Sequence, residues 1–164
     1  MKKLYLPLVI AILLTALFFF LINVMGSSPG DTSGNGNPAI ILMMLLVPLF
    51  CFFIYFSYKF FTQVTHQSKS LVYMVIAIVA HLLVGLVYQI YAFRNYKKLL
   101  QDVYYEEFLT VDYDYIDQIT SFLSIHVNSQ YFNINTFFMF LSLSMFIPVL
   151  IIFAQRLIKQ MMSS

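Results

Sequence analysis

The chain has 164 residues, of which 61% are hydrophobic and only 10% charged. A water-soluble domain carries about 25% charged residues, so nine basic and seven acidic side chains cannot solvate the surface of a chain this long. Composition therefore excludes an ordinary soluble domain. A net charge of +2 and the lack of any basic stripe interleaved with exposed aromatics exclude a nucleic-acid partner.

Four apolar stretches, 4–25, 38–58, 71–93 and 134–153, contain no Asp, Glu, Lys or Arg. Each has roughly the 20 residues that a helix needs to cross the hydrocarbon core, where the backbone finds no water. The expected fold is an all-α, polytopic four-transmembrane-helix bundle forming one integral membrane domain, with the lipid bilayer as its first partner. Lys2 and Lys3 before the first stretch allow a rival reading as a cleaved signal peptide. The stretch is well beyond the about 7–15 apolar residues of a signal h-region, which favours a retained helix.

Basic residues set the orientation. With the N-terminus inside, Lys2, Lys3, Lys59, Lys69, Arg156 and Lys159 are cytoplasmic, and only Arg94, Lys97 and Lys98 fall outside. The expectation is N-in/C-in, with outer loops 26–37 and 94–133, an inner loop 59–70 and an inner tail 154–164. Richness in Ile, Phe, Tyr, Lys and Asn, without a glycosylation sequon, points to a bacterial plasma membrane.

The first loop, 26–37, holds four of the five glycines and reads as a flexible connector. Asn37 before Pro38 reads as the N-cap of the second helix, Ser70 as that of the third, and Asn133 or Asn135 as that of the fourth. The second outer loop is expected to be partly helical. Tyr96, Leu99, Leu100, Val103, Tyr104 and Phe108 keep the helical period, so the third helix should run outward to about Phe108. Leu99, Leu100, Val103, Tyr104 and Phe108 form a candidate interaction face, to be laid on the membrane or against a partner. Leu109, Val111, Tyr113 and Tyr115 alternate with polar residues in a strand-like pattern. A second amphipathic helix is expected over about 114–126, with Ile116, Ile119 and Leu123 inward.

Within the spans the informative residue is His81, since a polar group at the bilayer midplane needs a partner. It shares a helical face with Ala77, Gly85 and Gln89, small and polar residues typical of a helix–helix contact. Thr15 and Ser144 lie at comparable depth, and Pro48 and Pro148 free the carbonyls of Met44 and Ser144. The candidate site is a midplane polar layer of His81, Gly85, Gln89, Thr15 and Ser144. His81 can fix helix register there, or titrate and touch a substrate or ion.

No cofactor or metal is expected. Cys51 is the only cysteine, one intramembrane histidine cannot make a bis-histidine haem site, and Asp112, Asp114 and Asp117 lack the glycine and glutamate of an EF-hand loop. No H-E-x-x-H, intramembrane aspartate pair or phosphate loop occurs. A small multidrug-type antiporter needs a membrane carboxylate, which is absent. The expected topology resembles that of the bacterial disulfide-generating quinone oxidoreductases, but this chain carries none of their outer-loop cysteines. What remains is a non-enzymatic membrane subunit or regulator binding another membrane protein. The alternative is a small oligomeric transporter, channel or pore-forming protein using His81, and third comes an enzyme subunit whose chemistry lies in a partner.

Overall fold

A computed structural model describes residues 2–31, 36–65 and 68–163. Parts of two expected connectors, 32–35 and 66–67, lie outside the described residues. The chain is all-helical among those described: α1 (Lys2–Val24), α2 (Ile40–Val64), α3 (Ser68–Phe108), α4 (Tyr113–Ile119), a 3-10 turn (Ile125–Val127), α5 (Asn128–Tyr131) and α6 (Ile134–Ser163). Four of these helices, α1, α2, α3 and α6, are long and apolar enough to cross a membrane.

The long helices form a row more than a ring. α1 packs on α2, α2 on α6 and α6 on α3, while α1 and α3 form no packed interface with each other. At one end Phe19 and Ile22 of α1 meet Leu46 of α2, with Phe132, Phe137 and Phe140 packed against them. At the other, Phe61, Leu71, Val149 and Ile152 join α2, α3 and α6. There the Arg156 guanidinium donates to the Thr65 carbonyl at the end of α2, a cation placed where a helix exposes its unpaired carbonyls.

Helix ends show which capping expectations hold. Asn37 is not the N-cap of α2: Ala39 holds that position without a side-chain cap, and Asn37 Oδ1 accepts from the Ala39 amide at 3.0 Å in the turn that precedes the helix. Asn133 and Thr136 cap each other's amides at 3.1 and 3.0 Å, so Asn133 starts α6 and Asn135 is left free for tertiary contacts. Ser70 is not a cap, because α3 already begins at Ser68.

α3 has 41 residues, which at 1.5 Å per residue spans about 60 Å, twice a bilayer core. Its far end is wrapped by 109–131, which we call the cap. Tyr96, Leu100 and Tyr104 of α3 bury against Ile116 and Ile119 of α4 and against Val127. The alternation at 109–115 does not yield a strand: no strand exists among the described residues. Leu109 instead takes a left-handed φ of 59° that ends α3, and Asp112 caps α4 by accepting from the Tyr115 amide at 3.0 Å. α4 also stops at Ile119, short of the expected 126. The Thr120 hydroxyl turns back to the Ile116 carbonyl at 2.7 Å, and Leu123, expected inward, is exposed with φ 73°.

Candidate functional site

The antiparallel seam between α3 and α6 brings three of the five candidate layer residues into line. On α3 they recur every four residues, and α6 answers at matching heights. His81 Nδ1 lies 3.0 Å from the Ser142 hydroxyl. Gly85 faces Met139, and its carbonyl accepts from Asn135 Nδ2 at 3.0 Å. Gln89 Oε1 accepts from Asn135 and Asn133 at 3.2 and 3.4 Å, while its amide donates to the Gln130 carbonyl.

The other two lie elsewhere. Thr15 is fully buried, and its hydroxyl has no hydrogen-bond partner among the described residues. Ser144 is two residues from Ser142 and so turned to the far side of α6; its hydroxyl donates to the Leu141 carbonyl at 2.7 Å. It lines an apolar void of about 160 Å³ with Leu8, Ile12, Phe53 and Ser57. Pro48 and Met44 are exposed on α2, away from the seam. His81 is itself exposed on the edge of α3.

Because α1 and α3 diverge, a cleft of about 840 Å³ opens between them, floored by the start of α6 and closed at one end by α5. Its apolar wall includes Phe19, Phe20, Tyr88 and Phe138. Its polar lining is a set of neutral amides, Asn23, Gln130, Asn133 and Asn135. Asn23 donates to the Phe132 carbonyl at 2.8 Å and so ties α1 to the α5–α6 link. Sequence reasoning used Asn133 and Asn135 only as caps. The signal that could have found the seam is the 135, 139, 142 spacing, which puts Asn, Met and Ser on one face of α6.

The candidate interaction face of α3 divides. Leu100 and Tyr104 are covered by the cap, Val103 is half-buried, and Leu99 and Phe108 remain exposed. The cap thus covers only the Leu100–Tyr104 part of this face with the protein's own residues. One exposed ion pair, Lys97 with Asp117 at 2.7 Å, bridges α3 and α4.

Inside the cap His126 is 1% exposed, with neither ring nitrogen paired among the described residues, and its carbonyl accepts from the Tyr96 hydroxyl at 2.8 Å. Burial pushes its pKa below the usual value, with the Asp31 carboxylate pulling the other way. The folded cap thus favours neutral imidazole, while an opened cap takes up a proton near about pH 6.5. Cap stability should hold above that pH and decline as pH falls below it. Hydrogen exchange of 109–131, corrected for intrinsic rates, checks this: protection should drop on acidification, and His126→Leu should flatten the drop. Equal pH dependence in both proteins would refute it.

Among the described residues no group of three or more His, Cys, Asp or Glu side chains converges to hold a metal. Comparison with protein-family models, curated proteins and solved structures finds no match. The fold and the site define the class: an all-helical protein with four helices compatible with a membrane location.

Proposed function

We propose that the chain is a non-enzymatic subunit or regulator in a bacterial plasma membrane, with both termini cytoplasmic and the cap outside, and that a transmembrane helix of another membrane protein seats in the α1–α3 cleft. One observation carries this reading. The cleft is open, yet the side-chain carbonyls of Asn23 and Asn135, both within the apolar stretches expected to span the bilayer, have no hydrogen-bond partner among the described residues. Lipid tails cannot satisfy such groups, whereas a helix bearing polar side chains can. Each interhelical hydrogen bond contributes only about 0.6 kcal/mol, so the amides would set register while the aromatic wall supplies contact area. The orientation is supported by the six basic residues that the sequence places toward one side, with every acidic residue toward the other.

The exposed imidazole of His81 favours one other reading, a homo-oligomeric transporter or pore with His81 between copies. A photo-crosslinking residue placed at Phe20, at Tyr88, or at Val47 on α2 as control separates the two in native membranes. We expect Phe20 and Tyr88 to capture a distinct membrane protein and Val47 to capture none. Dimers of this chain, together with flux lost in His81→Gln, would support the oligomer instead. Lipid adducts alone would sink both.

A further inference from the structure

At the tip of α3, beyond the candidate spans' apolar stretch, a pocket of about 360 Å³ is lined by Gly30, Tyr104, Phe108, Thr110, Asp112 and Tyr115. Three of the six are aromatic, and their rings are arranged as a corner. Tyr104 and Phe108 stack at 5.9 Å with planes 15° apart, and Tyr115 stands against Tyr104 at 5.4 Å and 79°. Aromatic faces carry negative potential, and converging rings of this kind attract cations with apolar substituents.

The charges agree. From Asp102 to Asp117 the sequence has six acidic residues and no basic one. Asp112 Oδ1 accepts from the Tyr115 amide, while its second oxygen has no hydrogen-bond partner among the described residues. Glu107 approaches from the Gly30 side: its Oε2 lies 3.9 Å from where a Cβ on Gly30 would sit. Gly30, at φ 89°, carries no side chain that could fill this wall. A bare metal ion is a poor fit, since no three ligating groups converge among the described residues. An anion is excluded by the same carboxylates.

We propose that this pocket binds an alkylammonium cation, the trimethylammonium group being the best match to its aromatic lining and single negative wall. With the third span ending at Phe93, as its apolar stretch predicts, α3 rises about 20 Å from there to Phe108, past the headgroups of its own bilayer. The occupant is therefore a free solute rather than a lipid of that bilayer.

The test uses the full chain in a maltoside micelle, whose headgroups are uncharged, and follows choline binding by saturation transfer to its N-methyl protons. Choline should bind saturably, about tenfold tighter than its uncharged isostere in which tert-butyl replaces trimethylammonium. Asp112→Asn preserves the cap of α4, because Asn accepts from the same amide, and should weaken choline about fivefold. Phe108→Leu, at an exposed position, should weaken it by a factor of about 3. Unchanged choline affinity in phosphatidylcholine nanodiscs supports the free solute; competition there identifies a lipid headgroup as the source of the same cation. Equal binding of the isostere, no saturable binding, or indifference to both substitutions would overturn the site.

Discussion

Gly85→Leu is expected to part α3 from α6 and to lower stability by about 3 kcal/mol, the scale of severe overpacking in a closely fitted contact. A Cβ at position 85 would stand 2.8 Å from both Cγ and Sδ of Met139 and 3.2 Å from Asn135 Oδ1. Those distances leave no room for a branched side chain, and the displaced Asn135 would lose its bond to the Gly85 carbonyl. Since α6 is the long helix on which α3 chiefly packs, the remaining hold on α3 would be the Phe61–Leu71 cluster at one end and the cap at the other. Gly85→Ala is a milder case: Met139 is flexible, and about 1 kcal/mol of helix propensity gained offsets the crowding. Unfolding in mixed micelles of rising dodecyl sulfate content measures both. Adding Met139→Ala to Gly85→Leu should restore part of the loss, which tests whether the two side chains are directly coupled. Unchanged stability in Gly85→Leu would show that the α3–α6 seam is not closely packed.

The His81, Gly85, Gln89 stripe was legible because a four-residue spacing of small and polar types stands out against an apolar helix. Its partner face was not, because Asn133 and Asn135 sit at a helix start, where capping explains them equally well. The cleft had no signature at all. Facing lipid and facing another helix both demand apolar residues, so periodicity inside the spans carries no record of which helices are neighbours. Outside that zone periodicity was informative: Tyr96, Leu100 and Tyr104 marked the extension of α3. It misled at 109–115, where alternation over a few residues had no partner strand to make it real. The competing local chemistry decided the outcome, with Leu109 closing α3, Asp112 opening α4 and Thr120 ending it. Thr15 and Ser144 were placed with His81 on depth alone, and depth does not fix which side of a helix a residue occupies.

Asn37→Ala should cost about 3 kcal/mol and release the cap from the start of α2. Asn37 and Asn128 are buried and exchange hydrogen bonds in both directions, at 2.7 and 3.0 Å. Asn37 also donates to the Leu123 carbonyl and accepts from the Ala39 amide, both at 3.0 Å. Two segments far apart in sequence are thus joined through one side-chain pair with no charge to screen. Each bond is worth about 1 kcal/mol net, but truncating one partner leaves the other amide buried and unpaired, which adds a penalty of about 1–3 kcal/mol. The expected readout is faster hydrogen exchange at 121–128 with little change in the α3–α6 seam. Asn37→Asp should be at least as damaging, because a carboxylate would face Asn128 Oδ1 without a donor at that position. Replacing both residues with Leu separates polarity from packing. If the loss in Asn37→Ala comes mainly from the orphaned Asn128 amide, the double substitution is the less damaging of the two despite removing more hydrogen bonds. If the bonds themselves hold the cap, the double variant is the worse.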